Sequence, residues 1–345
     1  MMTSTMDALV WLGPRKMELR REPAPTPEPG EVIVAVEAVG ICGSELSGYL
    51  GQNSLRKPPL IMGHEAAGRI AFDSDAALSD GSPARAGVRV TFNPLLTCGA
   101  CDRCQAGKSN LCRNRQLISA HRPGAFATYV AVPARLCIPL PDHVSLTLGS
   151  LTEPLACSVR AVAHTGAPER LAILGAGPIG LLCLVAARAA GIEDILVSDV
   201  SDRRLAVARA WGATATINAR HNVLNAVQAF APGGADAAID AVGLTITRDQ
   251  AVRAVTPGGR VVFIGLHEEE SMLPANYIVR QEITVTGSFT YSDADFARAL
   301  ALLAEGRVSL DGDWLEERPL AAGPAAFEEL LAGATRAAKI VLRVA

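Results

Sequence analysis

The sequence predicts an α/β protein of two domains: a β-rich first part, then an open parallel sheet with helices on both faces. Two observations carry this. Residues 171–200 read as apolar strand, glycine turn, helix and apolar strand, and more strand–helix alternations follow to about residue 289. Upstream, GEVIVAVEAVGICG (30–43) alternates apolar and other residues like a strand. A chain of 345 residues is also long for one core, so two domains are expected.

Each element can be justified in turn. The strand Leu171–Leu174 enters Gly175-Ala176-Gly177-Pro178-Ile179-Gly180, and a helix pattern runs on to about Ala190. A second strand, Ile195–Val200, carries Asp199. This is G-x-G-x-x-G between strand and helix, the fingerprint of a Rossmann dinucleotide-binding unit. Gly175 makes the tight turn, Gly177 admits a pyrophosphate, and Gly180 lets helix and strand pack closely. The helix N-terminus offers free N–H groups and the positive end of its dipole. Asp199, nineteen residues after Gly180, suits a carboxylate bonding both adenosine ribose hydroxyls, which favours NAD over NADP. Arg203 and Arg204 offer the opposite reading, since either could pair with a 2′-phosphate. ATINA, ADAAIDAVG, GRVVFIGL and EITVTGSF supply the later strands, and AAKIVLRV near the end reads as one more. The apolar run Leu171–Ala187 falls short of the ~18 residues of a membrane span. Its three glycines and proline fit a buried strand and helix.

The net charge of −3 leaves little to neutralise phosphates, so nucleic-acid coating is not expected. There is no internal repeat, and the N-terminus lacks a basic start followed by a long apolar core, so no export signal is expected. The expectation is a cytoplasmic protein, with reduced thiols and no membrane partner.

Half of the eight cysteines nevertheless fall in one loop, CGACDRCQAGKSNLC (98–112). In a reducing compartment such clustering points to metal. Cys98, Cys101, Cys104 and Cys112 would close a tetrahedral structural zinc site. Disulfides and an iron–sulfur cluster are the alternatives. A second constellation is dispersed: Cys42 in ICGSELSGYLG, His64 and Glu65 in PPLIMGHEAAGRI, and Glu153 and Cys157 in LTEPLACSV. Cys42, His64 and Glu153 would make a three-ligand catalytic zinc site with an open position. No short spacing ties them together, and each alone could be a core or loop residue. Cys137 and Cys183 lie in apolar runs and are expected to be buried, while His143, His164 and His221 carry no assigned role.

Taken together, ICGSE, GHEAAG, the four-cysteine loop, EPLA and GAGPIG resemble the zinc-dependent medium-chain alcohol dehydrogenase family over nearly the whole chain. EPLA and GSFTYSDADF (287–296) are similar to its sorbitol and polyol branch. The resemblance implies a GroES-like β catalytic domain of residues 1–155 and 293–345, with a doubly wound Rossmann domain of 156–292 between them. It implies Cys42 and His64 as catalytic zinc ligands, Glu153 as the third, directly or through water, and Glu65 as an exchangeable ligand. Cys157 is the rival for Glu153, because ethanol-type relatives place a second Cys in this set. Ser44 would take the substrate proton. Gly265, Leu266, Ser288 and Phe289 would bind the cofactor, His267 would lie near its nicotinamide, and the GSF strand near Phe289 would be the subunit contact. Pro178 and Ile179 of the glycine fingerprint, Asp199 and Arg204 would also bind the cofactor. The reaction implied is reversible oxidation of a secondary alcohol (polyol, sugar or cyclitol) to a ketone, by a homodimer or homotetramer. A threonine-type or simple secondary-alcohol dehydrogenase is the alternative, and a zinc-containing binding module is disfavoured by the lack of a basic patch.

The chain also departs from the pattern. Ser47 stands where relatives often have a relay His, Glu45 replaces the usual Asp, and Thr290 replaces the Arg of the sorbitol enzymes' Phe-Arg-Tyr. His121 and Arg122 fall in a loop near the family's substrate cleft.

Overall fold

Residues 4–344 are described by the computed structural model. They divide into two units: residues up to 153 together with those from 315 onward, and residues 154–314.

The first unit is built on a seven-stranded sheet. Its order is Cys137–Pro139, Arg89–Phe92, Glu65–Ile70, Glu31–Gly40, Lys339–Arg343 and Leu315–Pro319, with Tyr129–Pro133 also pairing with Glu31–Gly40. The alternation in Glu31–Gly40 predicts a half-buried strand, yet eight of its ten residues are buried. Being central, it pairs with three others and is covered on both faces. Its Val32, Val34 and Val36 join Phe92, Phe126 and Phe327 in the core. A three-stranded sheet of Lys16–Pro23, Thr5–Gly13 and Leu60–Ile61 completes the unit's main strands.

The second unit is an open, all-parallel sheet. Its strands are β1 (Arg170–Leu174), β2 (Asp194–Asp199), β3 (Ala215–Asn218), β4 (Ala235–Asp240), β5 (Val255–Phe263) and β6 (Thr284–Gly287). They lie in the order β3-β2-β1-β4-β5-β6, the doubly wound arrangement that binds ligands at the carboxyl ends of its strands. The helix α1 (Pro178–Ala189) follows β1 and has Gly177 as its N-cap and Pro178 in its first turn. Leu181 to Ala187 of α1 are buried, so this apolar run is interior rather than membranous. Among the described residues no helix is long and apolar enough to cross a membrane.

The chain returns to the first unit later than the resemblance implies. The helix Asp293–Ala304 belongs to the second unit, where Arg160 pairs with Asp295 at 3.2 Å and the Tyr291 and Phe296 rings pack at 5.4 Å. Burying Phe296, Leu300 and Leu303 ties this helix to the unit it starts from. The crossing comes at Leu315, where Leu315–Pro319 pairs in parallel with Lys339–Arg343.

Candidate active site

Sheet register creates the dispersed constellation. Gly40 pairs with Glu65 on one side and with Val341 on the other. Cys42 and His64 therefore emerge together at one end of two antiparallel strands. The Cys42, His64 and Glu65 ligand atoms all lie within 4.8 Å of one another. Gly40 is needed there: a Cβ on it would sit 2.2 Å from Glu65 Oε2 and 2.8 Å from Lys339 Cε.

Glu45 organises this cluster from beneath. It lies in the first turn of the helix Gly43–Tyr49, fully buried. Its Oε2 accepts from Cys42 N at 3.1 Å, which closes the helix N-terminus as a capping-box carboxylate does. Its Oε1 accepts from Gly63 N at 2.7 Å and Ser119 Oγ at 2.9 Å, and lies 2.8 Å from His64 Nδ1. Burial pushes the Glu45 carboxyl up, but the charges on His64 and Arg56 and the bond from Cys42 N outweigh it and hold it at about 2. Burial opposes charge on His64 too, yet Glu45 and Cys42 raise it well above its ordinary value. Beside them Lys339 forms a buried ion pair with Glu65 and donates to Ile41 O at 2.9 Å. Burial disfavours the Lys339 charge, and Glu65 and Cys42 more than restore it.

This donor set fits a zinc ion. A carboxylate on His64 Nδ1 fixes the tautomer and leaves Nε2 for the metal, as at many His–metal sites. A metal there would take the place of the proton that Cys42 and Glu45 otherwise draw onto the ring. Ser44 Oγ donates to Cys42 Sγ at 3.5 Å.

The four-cysteine loop is folded around its sulfurs. The Sγ–Sγ separations are 3.5 Å (Cys98–Cys112), 3.6 Å (Cys101–Cys104), 3.9 Å (Cys101–Cys112) and 4.0 Å (Cys98–Cys104). Tetrahedral zinc with Zn–S bonds of ~2.3 Å sets sulfurs ~3.8 Å apart, whereas a disulfide needs ~2.05 Å. The geometry is that of a metal cage, and all four are free thiols. N–H groups of Arg113 and Cys104 hold Cys101 down at about 6, while desolvation and the neighbouring sulfurs push Cys104 up to about 12. Four sulfurs so spaced could hold one metal ion between them.

The dinucleotide fingerprint is also formed. Gly175 has φ +99°, and a Cβ on Gly180 would lie 1.8 Å from Gly175 O, so both glycines are obligatory. A Cβ on Gly177 would meet nothing within 4 Å, leaving the space above the helix N-terminus open for a pyrophosphate. Asp199 ends β2. Its carboxylate accepts from Ala176 N at 2.7 Å and Ser201 N at 2.8 Å, with Arg204 Nη1 at 4.0 Å. At the carboxyl ends of β5 and β6, Leu266 and Phe289 are exposed, Ser288 is buried, and Gly265 lies against the Val242–Gly243 backbone.

Known proteins share both halves. Residues 28–142 match the alcohol dehydrogenase GroES-like domain, and residues 178–305 match the zinc-binding dehydrogenase domain. An L-idonate 5-dehydrogenase of Vitis vinifera is 33% identical over 311 residues, covering 87% of this chain and 84% of that protein. The chain belongs to the zinc-dependent medium-chain alcohol dehydrogenase family. A probable D-xylulose reductase A of Neosartorya fischeri is 34% identical over 310 residues, 85% of each chain. A Sinorhizobium meliloti 1021 protein described as a zinc-binding dehydrogenase, solved with NADP, superposes with a TM-score of 0.87 at 32% identity, covering 99% of this chain and 100% of that one. This chain is accordingly an NAD(P)-dependent zinc alcohol dehydrogenase of the polyol branch.

Within that family frame, Glu65 is the carboxylate that stands among the clustered ligand atoms. Glu153 is buried in the first turn of the helix Thr152–Ala163, and Cys157 lies one turn on, but neither belongs to the cluster within 4.8 Å among the described residues. Arg122 pairs with Glu31 at 2.5 Å, and His121 Nδ1 accepts from Leu117 N at 3.1 Å. Ser47 Oγ donates back to Gly43 O at 3.4 Å. Cys137 and Cys183 are fully buried, as expected. The sequence reading misses Lys339, Arg56 and Ser119. A lysine inside the apolar run AAKIVLRV is a signal for the first, while nothing local marks the other two.

Proposed function

We propose that this dehydrogenase oxidises a polyhydroxy secondary alcohol reversibly to a ketone, with NAD as acceptor and a catalytic zinc on Cys42, His64 and Glu153. The observation that carries it is the Cys42–His64–Glu65 cluster held by the buried Glu45. The polyol assignment draws on the relatives named for L-idonate and D-xylulose. When bound, zinc supplies Lewis acidity toward the substrate oxygen, and the nicotinamide ring accepts the hydride.

The chain's own residues do the rest. Cys42 and His64 hold the metal, and Glu45 fixes the His64 ring. Glu153 serves as third ligand directly or through water, while Glu65, restrained by Lys339, is the exchangeable one. Ser44 receives the substrate hydroxyl proton and, being only partly buried, gives up its own hydroxyl proton to solvent in the same transfer. Ser47, where relatives often have a relay His, donates to Gly43 O of its own helix at 3.4 Å. Cys98, Cys101, Cys104 and Cys112 hold the structural zinc. Gly175, Gly177, Pro178, Ile179 and Gly180 cradle the pyrophosphate, Asp199 the adenosine ribose, and Gly265, Leu266, Ser288 and Phe289 the nicotinamide end. Arg204, 4.0 Å from Asp199, supports a second reading in which NADP is also accepted.

The protein acts in the cytoplasm as a homodimer or homotetramer. Support for assembly is that β6 is an edge strand with Phe289 exposed beside it. Light scattering after size exclusion tests the oligomer.

The deciding experiment is NADH formation by zinc-replete protein against polyols, sugars, cyclitols and simple secondary alcohols, with NADP beside NAD. Turnover of polyhydroxy substrates with NAD supports the proposal. Turnover of simple alcohols alone moves the enzyme out of the polyol class, and activity with NADP alone overturns the role given to Asp199.

A further inference from the structure

Arg56 is a buried cation whose charge helps keep Glu45 ionised but which has no role assigned above in the reaction itself. It is 4% exposed and lies in an irregular segment eight residues before His64. Its Nε donates to Ser119 O and its Nη1 to Ser44 O, both at 3.0 Å. Its Nη2 reaches Ser44 Oγ and Ser119 Oγ, both at 3.4 Å. Taking a guanidinium out of water is costly, and an apolar side chain fills such a space at lower cost. Packing alone therefore does not account for an arginine here.

Ser119 is shaped to receive it. It is fully buried and has φ +85°, a conformation that residues other than glycine rarely adopt. In that conformation its carbonyl and its hydroxyl both face the Arg56 guanidinium, while the hydroxyl donates to Glu45 Oε1 at 2.9 Å. The planar fork of an arginine can hold two such residues at once, which a lysine cannot. On its other side the fork holds Ser44 by carbonyl and hydroxyl, and Ser44 Oγ donates to Cys42 Sγ at 3.5 Å.

We propose that Arg56, braced by Ser119, is a positioning residue that locks the Ser44 hydroxyl against the Cys42 sulfur. A hydroxyl has one proton and two lone pairs. The proton is directed to Cys42 Sγ and one lone pair takes the Arg56 N–H, so a single lone pair remains to accept a hydrogen bond from the substrate hydroxyl. The use of that lone pair rests on the function proposed above; the placement of the hydroxyl does not.

The test is a set of cobalt-substituted variants read by their thiolate-to-cobalt charge-transfer band. Difference spectra against the unsubstituted protein cancel the four-thiolate site, which all variants share. Ser44→Ala and Arg56→Met are expected to shift the band in the same direction, with no further shift in the double variant and a smaller one in Arg56→Lys. With the best substrate of the panel, Arg56→Met is expected to lower kcat about tenfold, the worth of one hydrogen bond, at unchanged KM. That loss should vanish in the Ser44→Ala background. A parent-like spectrum in Arg56→Met overturns the proposal, as does a loss that adds to that of Ser44→Ala. If Arg56→Met does not fold, a parent-like spectrum in Arg56→Lys overturns it equally. Full kcat in Ser44→Ala with the expected spectra refutes Ser44 as proton acceptor and upholds Arg56 as its positioner.

Discussion

Glu45→Gln is the most informative single change at the metal site. The side chain keeps its shape, so only charge and one acceptor are lost. Glu45 takes four hydrogen bonds, three at Oε1 and one at Oε2. The best-placed glutamine keeps its carbonyl where the three donors converge and turns its NH₂ against Cys42 N–H. One buried N–H then loses its acceptor, a cost of about 1–3 kcal/mol. The negative charge between His64 and Arg56 also goes, and removing one partner of a buried pair costs about 3–5 kcal/mol. Because three of the four bonds persist, the lower end applies, about 3 kcal/mol. Losing the carboxylate behind a ligating histidine weakens zinc binding about 10–100-fold. The assay is zinc release to a chromophoric chelator, phase by phase. One zinc should leave Glu45→Gln far more readily, while the four-cysteine zinc leaves as before. At ~2–4 °C per kcal/mol for a unit of this size, melting of the first unit should fall by roughly 6–12 °C. Parent-like zinc retention and melting in Glu45→Gln would refute the claim that this carboxylate holds the site together.

Three further outcomes follow from the geometry. Gly180→Ala brings a Cβ to 1.8 Å from Gly175 O, a backbone atom that cannot step aside, so about 3 kcal/mol or more of stability and most NADH affinity should be lost, read by melting and by NADH fluorescence. Cys104→Ser removes one of four sulfurs spaced for zinc, so metal analysis should show one zinc fewer per chain and proteolysis should begin in the 98–112 loop. The Tyr49 phenol donates to Glu328 Oε1 at 2.8 Å and is pushed from 10.0 up to about 12 by burial first and Glu328 second. The folded state holds this proton more tightly, so the stabilisation is complete below pH 10 and is lost as pH rises through 12. Tyr49→Phe should flatten that alkaline loss in denaturant titrations, and an unchanged slope would refute it.

Legibility in the sequence follows the length scale of each interaction. The strand–turn–helix fingerprint and the four-cysteine loop are local, so spacing alone carries their geometry. The chain returns to the first unit at Leu315, about twenty residues later than the resemblance implies. Helix Asp293–Ala304 is amphipathic, and sequence periodicity tells that a face is buried without telling against which unit. Glu45 reads in sequence as a lengthened aspartate, and only the fold turns it into the acceptor on which Cys42, Gly63, His64 and Ser119 converge.

The sequence by itself determined the parallel sheet with its glycine turn and the close cysteine spacing of the 98–112 loop, because apolar period, glycine spacing and cysteine spacing act over a few residues. Only the tertiary structure decided which carboxylate stands among the clustered ligands, and that Lys339 pairs with Glu65 from 274 residues away. It also decided that Arg56 and Ser119, 63 residues apart, meet over Ser44. Sheet register brings such polar atoms together, and register is fixed by the packing of the whole apolar core rather than by any segment that contains them.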